Sequence, residues 1–512
     1  MRIKRQADPD RKGQDGIGSS LFIDTPAVVV CGNSQFVFRN SQCRGTVLFI
    51  VMVLVAMSAM TAAGLLYRMR AETAAAAASG SGEQAYAAAM SGLQAAMSAV
   101  GSPLVDLNDN PELFQNQLVC DDGANKWYFT VFAANDDGKT LRYGLEDESG
   151  KININTASAD VLRAMFEHEA PNCDSDELVD CLIDYRGGES SPRPHGAKQD
   201  YYDKLKYPYL IKNGPLGTLE ELLLVKGFTA QIVYGEDANF NGILDPNEDD
   251  GDKSFPPDNA DGVLDRGLYA LATAVTHEPN TDSRGRRRVN INGTDAEMRA
   301  LSGIGLSKQT VDFIKACRAD GYTFKDPSEL LGMEYPPKNA PASGPAPKPT
   351  TAPGAKAAPN KSGVGADELP LVMDRLTTVS AARNAQRTGL VNVNTASATV
   401  LSFLPGLDEN LAKTIADSRG TLDSAKKDTV AWLFTENLIT ADQFKQVAPF
   451  LTARSRQYRL RAMGFGVPCG RYRVIEAILD LSGPAPRVAY LRDVTRVGLP
   501  MAIDVDRQER RQ

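Results

Sequence analysis

One acidic stretch near the middle of the chain has the residue types and spacing of a metal site. It offers oxygen ligands at positions 1, 3, 5, 7, 9 and 12 of a twelve-residue segment: Asp237, Asn239, Asn241, Ile243, Asp245 and Glu248. Ile243 would use its backbone carbonyl, and Gly242 at position 6 permits the sharp turn. A hard cation prefers six or more oxygens on a backbone that curls around it. The spacing therefore predicts a calcium site, against the alternative of a solvated acidic turn.

A second, less complete copy of this pattern follows. Asp261 and Asp265 repeat the ligand spacing around Gly262, but Pro257 and Leu268 stand at positions 1 and 12. Calcium could bind there only with help from nearby carboxylates, and the candidates are Asp249, Asp250, Asp252 and Asp258. No convincing helix follows the first loop, because its sequence continues with Asp, Gly and Pro residues. We therefore expect a structural calcium site and not a paired-helix sensor.

The composition argues against several other functions. The 512 residues carry 64 acidic and 56 basic side chains, a net charge of −8, which is unlike a protein built to neutralise phosphate backbones. Histidines occur only at positions 168, 195 and 277, which leaves little material for acid/base or zinc chemistry. The sequence also lacks H-E-x-x-H and G-x-S-x-G motifs. It therefore predicts a protein that is not an enzyme.

An uncharged segment near the amino terminus predicts a membrane anchor. Residues 46–66 form 21 mostly apolar positions, which as a helix would be about 30 Å long. The alternatives are a buried core helix or a cleaved secretory signal. Helix-forming residues continue to Val100, with a weak joint at Gly80-Ser81-Gly82. Residues 1–45 have a net charge of +3 and the remainder −11. This places the amino terminus in the cytoplasm and the bulk of the chain outside.

The start of this segment resembles the processing site of type IV pilins and type II secretion pseudopilins. Arg44 and Gly45 precede the hydrophobic run that begins at Thr46. The resemblance implies cleavage after Gly45, with Thr46 as the mature amino terminus. Most members have Glu at the fifth mature position, where this chain has Ile50, a departure typical of the protein K family of minor pseudopilins. Either this leader is extended or the true start lies downstream.

Three copies of one supersecondary unit occupy the middle of the chain. Each begins with alternating β-branched and Asn residues, at 152–157, 289–294 and 391–396, and continues into helical sequence. The units resemble helix-hairpin-helix domains, whose glycine hairpins hold DNA phosphates. Only the second copy qualifies, with Gly303 and Gly305 followed by Lys308, Lys315 and Arg318, whereas the third has Asp408 in place of the second glycine. We therefore expect packing modules without a role in nucleic-acid binding.

Strand-like segments on both sides of the repeats predict one antiparallel sheet. The first group lies at 127–133 and 141–144, and the second at 458–463, 472–479 and 488–493. The fold class is therefore predicted as α+β: a pilin-like fold, with a long amino-terminal transmembrane helix and an antiparallel sheet, interrupted by a large helical insert of helix-hairpin-helix (SAM-like) units. The expected regions are a leader (1–45), a transmembrane and stem helix (46–100), the first part of the sheet (101–152), helical unit 1 (153–234), a calcium-binding region (235–288), unit 2 (289–378, with a Pro/Ala-rich linker at 336–366), unit 3 (389–452) and the last part of the sheet (453–500).

The order of these segments resembles the protein K family across roughly residues 44–494. The resemblance implies a minor pseudopilin at the tip of the type II secretion pseudopilus, which helps to initiate or cap the fibre. Its partners would be the I-type and J-type minor pseudopilins and the inner-membrane assembly platform. Its location would be the bacterial inner membrane, with a single span and a periplasmic bulk. A membrane-anchored DNA receptor and a type IV pilus minor pilin remain as alternatives. One disulfide, between Cys173 and Cys181 for example, is an open expectation outside the cytoplasm.

Overall fold

A computed structural model describes residues 44–102, 105–135, 138–187, 191–335, 361–379 and 385–503. The predicted leader, up to residue 43, and most of the predicted Pro/Ala-rich linker, residues 336–360, lie outside the described residues. The chain divides into two compact units, residues 1–74 and 75–512.

The helices and strands have the following bounds. The helices are α1 Arg44–Ala99, α2 Pro111–Phe114, α3 Ala159–Glu169, α4 Ser175–Arg186, α5 Gln199–Tyr202, α6 Ala230–Tyr234, α7 Gly267–Leu271, α8 Asp295–Ala300, α9 Lys308–Ala319, α10 Leu369–Arg375, α11 Ala398–Ser402, α12 Glu409–Ser418, α13 Trp432–Thr435 and α14 Ala441–Val447. The strands are β1 Gln117–Asp121, β2 Lys126–Ala134, β3 Leu141–Arg142, β4 Glu146–Asp147, β5 Ile152–Asn153, β6 Ala272–Thr273, β7 His277–Pro279, β8 Val289–Asn290, β9 Leu376–Thr377, β10 Gln386–Thr388, β11 Val391–Asn392, β12 Leu451–Thr452, β13 Gln457–Val467, β14 Tyr472–Asp480 and β15 Arg487–Asp493.

Helix α1 contains the predicted membrane segment. The helix is unbroken through residues 80–82, where the sequence predicted a weak joint, because helical geometry tolerates single glycines at a cost of about 1 kcal/mol each. Its apolar side chains from Val47 to Leu66 are exposed in the first unit. Among the described residues, it is the one helix long and apolar enough to cross a membrane.

The strands on both sides of the repeats form one antiparallel sheet, as the sequence predicted. Its order is β1-β2-β13-β14-β15, with β3 paired to β2 and β4 paired to β13. The central pairing joins residues 126–132 to 461–467, so the two ends of the second unit meet there. The mixed helical and sheet architecture, with an apolar amino-terminal helix, is therefore confirmed. Strand β1 was not predicted, because its exposed Leu118, Val119 and Cys120 show no alternating pattern.

The second half of α1 packs against one face of this sheet. Its small residues allow close approach: a side chain at Gly92 would lie 3.0 Å from the ring of Phe129. Leu93 and Ala96 are fully buried against Val131, Leu460 and Ile475. The Ala-rich composition of this segment therefore reflects contact with the sheet as well as helix propensity.

Each of the three repeats is closed by a short parallel strand pair. These pairs are β5 with β6, β8 with β9 and β11 with β12. In each copy the second Asn of the phrase donates its side-chain amide to backbone carbonyls that are distant in sequence; Asn155, for example, reaches Leu216 and Ala274 at 2.9 and 3.0 Å. Asn394 likewise donates to the carbonyls of Lys427 and Ala453, and Asn292 donates to the carbonyl of Phe324. The repeated motif therefore joins the first strand of each unit to distant parts of the chain through the side chain of its second Asn.

A buried ionic cluster joins the region between the sheet halves to the sheet itself. Arg459 of β13 contacts Glu148 at 2.7 Å and Glu476 of β14 at 2.9 Å, and all three side chains are at most 9% exposed. Tyr269 of α7 donates its hydroxyl to Glu476. Since buried charges are tolerated only when paired, this cluster fixes one arrangement of α7 on the sheet.

Candidate functional site

The first predicted calcium loop adopts a tight curl around its acidic side chains. Asp237 accepts hydrogen bonds from the backbone N–H groups of Asn241 and Gly242, at 2.9 and 3.0 Å. Glu248 accepts from those of Ala238 and Asp245, at 2.9 and 3.1 Å. Positions 1 and 12 therefore close the segment into a ring. Gly242 has a φ of +70°, the conformation for which the sequence placed glycine at position 6.

The remaining side chains predicted as ligands also belong to this ring. The amides of Asn239 and Asn241 both donate to one carboxylate oxygen of Asp245, at 2.8 and 3.0 Å. The Oδ1 atom of Asn241 accepts from the backbone N–H of Ile243 at 2.7 Å. The structure thus brings together all six residues that the spacing singled out.

Burial shapes the acidity of the loop. Asp237 and Glu248 are only 5% and 1% exposed. Burial raises the pKa of Asp237, and the nearby Arg461 and Arg266 oppose the rise. Burial likewise raises the pKa of Glu248 to about 7, and backbone hydrogen bonds oppose that rise. Keeping both carboxylates charged is therefore unfavourable unless a cation compensates them.

The donor set fits a hard divalent cation. Carboxylate and amide oxygens with one backbone carbonyl are the ligands that calcium prefers. In the part of the chain that the structure describes, no three His, Cys, Asp or Glu side chains form a metal cluster on their own. The amide oxygens of Asn239 and Asn241 and the Ile243 carbonyl would therefore be needed to complete the coordination.

The second loop repeats the backbone pattern of the first. Asp261 accepts from the N–H of Val263 at 2.8 Å, as Asn241 does from Ile243 at the same position of loop 1. The residue at position 4 has positive φ in both loops, +57° at Phe240 and +52° at Ala260. The incomplete sequence copy is therefore a structural copy.

Two carboxylates from outside the second segment take the places of its missing acidic residues. Glu236 accepts from the N–H groups of Asn259 and Asp265, at 3.3 and 3.4 Å, much as Glu248 does in the first loop. Asp249 accepts from the N–H of Gly262 at 3.0 Å, as Asp237 does from Gly242. Asp249 was among the predicted helpers, whereas Glu236 was missed because it lies 23 residues before Asn259.

The other predicted helpers have different roles. Asp250 accepts from the hydroxyl of Ser254 at 2.8 Å, and Asp258 accepts from the N–H of Gly251, also at 2.8 Å. The side chain of Asp252 lies outside the described residues. Asp265, the predicted ligand at position 9 of the second loop, accepts a hydrogen bond from the N–H of Gly267 at 2.7 Å.

The glycine hairpin of the second repeat is occupied by groups of the protein itself. Glu368 accepts from the N–H of Ser307 at 2.5 Å and from the hydroxyl of Thr310 at 2.7 Å, at the start of α9. Arg375 donates to the carbonyl of Ile304, inside the hairpin. Arg318 donates to the carbonyls of Tyr322 and Asn292. Two groups near this hairpin, the N–H of Ser307 and the guanidinium of Arg318, are therefore engaged in contacts within the protein.

The predicted processing residues lie at the start of helix α1. Gly45 and Thr46 are in the first turn of α1, and Ile50 lies one turn further along with 56% of its surface exposed. No carboxylate occurs in this helix before Glu72. The helix therefore presents an uninterrupted apolar surface around the position that carries Glu in most pseudopilins.

The cysteines in the described residues are free thiols. Cys173 is exposed, whereas Cys181 is buried in α4 and directs its sulfur towards the carbonyl of His195 at 3.5 Å. The suggested disulfide between these two residues is therefore wrong for this structure. Cys120, Cys317 and Cys469 are also unbridged.

Comparison with known proteins identifies the region next to the loops. Residues 139–234 match the model of the type II secretion system protein K family. The chain carries a protein K domain. This domain runs from the β2–β3 turn to the end of α6 and stops three residues before Asp237. It confirms the resemblance to the protein K family and the predicted function as a minor pseudopilin in type II secretion.

A solved structure that covers most of this chain resembles it only distantly. A crystal structure of the GspK-GspI-GspJ complex from the type 2 secretion system of enterotoxigenic Escherichia coli covers 83% of this chain and 99% of the matched chain. The two are 13% identical and superpose with a TM-score of 0.32. No curated protein sequence matches the chain.

Proposed function

We propose that this minor pseudopilin acts at the tip of the pseudopilus, where it helps to initiate or cap the fibre during protein secretion across the outer membrane. The protein K domain at residues 139–234 carries the proposal. The helix chemistry supports it, because Ile50 replaces the usual carboxylate. A carboxylate in hydrocarbon is costly unless it meets a partner charge, and a subunit with no neighbour above it has no such partner.

The partners of this chain would be the I-type and J-type minor pseudopilins and the inner-membrane assembly platform. The matched crystal structure is that of a GspK-GspI-GspJ complex, in which a K protein is assembled with an I and a J protein. The apolar helix α1 would anchor the chain once in the inner membrane, with its bulk in the periplasm. Helix α1 would pack against the equivalent helices of the partners.

The three repeats would form the bulky insert that blocks addition of a further subunit. Their role as helix-hairpin-helix packing modules, without nucleic-acid binding, is supported by the contact between Glu368 and Ser307. A carboxylate at that helix start occupies the N–H that a phosphate would need.

Calcium would be the resident ion of the acidic region. Asp237, Asn239, Asn241, Asp245 and Glu248 would hold one ion, together with the carbonyl of Ile243. Asp261 and Asp265, with help from Glu236 and Asp249, would contribute to the second site together with amide and backbone oxygens of that loop, since no three of these carboxylates form a metal cluster on their own. The ion would neutralise carboxylates that burial otherwise disfavours and would thereby stabilise a local fold. The proposed role of the ion is structural and not catalytic.

Copurification tests this function. The tagged full chain would be coexpressed with prepilin peptidase and the I-type and J-type pseudopilins, and separately with minor pilins of a type IV pilus. We expect recovery of the I-type and J-type proteins only. Recovery of the type IV proteins instead would favour the alternative of a type IV pilus minor pilin, and recovery of neither set would overturn the proposed partnership.

A further inference from the structure

The first loop carries a side chain that is no metal ligand but is held by both the insert and the sheet. Phe240 stands at position 4, between Asn239 and Asn241. Its ring centroid lies 5.2 Å from that of Tyr234 and 5.6 Å from that of Tyr269. Tyr234 ends α6, which precedes the two loops, and Tyr269 lies in α7, which follows them. Its other neighbours are guanidinium groups of the sheet, Arg461 at 5.8 Å and Arg492 at 5.9 Å.

The backbone of Phe240 is fixed by the same group of residues. Its carbonyl accepts a hydrogen bond from Nη1 of Arg461, on β13. The guanidinium of Arg461 is 7% exposed and lies 3.5 Å from Glu476, which also binds Arg459 and Arg492. Phe240, which lies between two predicted ligands, is therefore hydrogen-bonded to an arginine of the buried ionic cluster.

Other parts of the loop contact the sheet as well. Gly242 lies so close to Ala134 of β2 that no side chain fits between them. Leu244 donates its N–H to the carbonyl of Gly138, in the β2–β3 turn, at 2.9 Å. The loop therefore contacts β2 and the β2–β3 turn and, through Arg461, strand β13 as well.

Comparison with the second loop shows that the backbone conformation of Phe240 does not depend on its aromatic ring. Ala260, at position 4 of that loop, has nearly the same φ as Phe240. The left-handed conformation is thus part of the loop and does not require an aromatic side chain. The ring of Phe240 serves the contact with Tyr269, Arg461 and Arg492.

We propose that Phe240 couples cation binding in the first loop to the junction between insert and sheet. An ion held by the flanking ligands fixes the backbone at Phe240, and the ring and carbonyl of Phe240 fix Arg461 and Tyr269. Coupling between sites is reciprocal, so the same contacts strengthen ion binding. Phe240 is therefore a positioning residue, and this role rests on the proposed calcium site.

The test uses the purified full chain in detergent and calcium alone as the probe. Calcium affinity is measured by isothermal titration, and amide hydrogen exchange is followed in β13 and α7. The key variant is Phe240→Ala, since Ala260 shows that alanine adopts this conformation. Phe240→Leu keeps apolar bulk without aromatic contacts and serves if the alanine variant does not fold. The matched control is Phe255→Ala, because Phe255 lies between the two loops and is 79% exposed.

In wild-type protein, calcium should slow exchange in β13 and α7. Phe240→Ala and Phe240→Leu should weaken calcium binding by about tenfold and abolish this effect, while Phe255→Ala behaves as wild type. Wild-type affinity and unchanged protection in both Phe240 variants would overturn the coupling. Calcium binding by wild-type protein without protection of β13 would overturn it too, leaving the calcium site intact. A wild type that binds no calcium would overturn the site and the coupling together.

Discussion

Glu368 and Ser307 meet at the amino-terminal cap of α9, where the carboxylate accepts a hydrogen bond from the backbone N–H of Ser307 at 2.5 Å. A carboxylate at a helix start occupies the place that a phosphate takes in a DNA-binding hairpin. The contact supports the proposal that this hairpin, although it has the glycines of a DNA-binding hairpin, is a packing element.

The first prediction concerns DNA. Full-length protein should not retard duplex DNA even at low salt, because Glu368 repels phosphate and Arg318 is engaged with backbone carbonyls. An electrophoretic mobility assay at about 50 mM salt measures this. Salt-dependent binding that is lost on changing Gly303 and Lys308 would contradict it and restore the DNA-receptor alternative.

The second prediction concerns processing. Gly45→Val should leave the full-length precursor in cells that contain prepilin peptidase, because the resemblance places cleavage after Gly45. Immunoblotting of an epitope near the carboxyl terminus separates the precursor from the mature form. Gly64→Val is the control, since a side chain at Gly64 meets no other atom within 4 Å. Identical mobility of Gly45→Val and wild type would exclude cleavage at this site.

The third prediction concerns Ile50 in the membrane. Ile50→Glu should reduce incorporation with the I-type and J-type partners, since an unpaired carboxylate in hydrocarbon costs about 2.5 to 3.5 kcal/mol. Ile50→Leu should behave as wild type. The measurement is the yield of partners recovered with the tagged chain. Full recovery with Ile50→Glu would show that a partner charge is available, against a position at the tip.

The fourth prediction concerns the calcium ligands. Replacing Asp237 and Glu248 by Ala should lower the melting temperature in calcium but have a much smaller effect in chelator. A ligand at about 100 times its Kd stabilises the folded state by about 2.7 kcal/mol, and the variant loses this contribution. Differential scanning fluorimetry in both conditions provides the comparison. A calcium-independent difference between the two proteins would assign the carboxylates a purely structural role.

The fifth prediction concerns pH in the calcium-free protein. Burial raises the pKa of Glu248 from its ordinary 4.5 to about 7. The folded state therefore holds this proton more tightly than the unfolded chain does. The associated stability is complete below the ordinary pKa and is lost as the pH rises through about 7. In chelator, Glu248→Gln should show a smaller fall in melting temperature between about pH 5 and pH 8 than wild type, and an equal fall would contradict this assignment.

The sequence by itself determined the features that depend on near neighbours. Thr46 to Leu66 predicts a helix for hydrocarbon because no charge interrupts it, and odd spacing predicts the ring from Asp237 to Glu248. The spacing of Thr294 and Glu297 is likewise typical of a capping box, and the structure has one at the start of α8. Such patterns are set within one or a few helical turns, so their geometry follows from residue order.

Only the tertiary structure decided which distant groups complete the sites. Glu236 closes the second loop from 29 residues before Asp265, and Arg459 pairs with Glu148 across 311 positions. Glu368 reaches Ser307 from 61 positions away. No local pattern marks these residues, because a buried charge must find its partner in space once the sheet and repeats have packed. The residue order therefore indicated which loop would hold an ion, while the fold decided which residues support that loop and that Glu368 lies against Ser307 beside the hairpin.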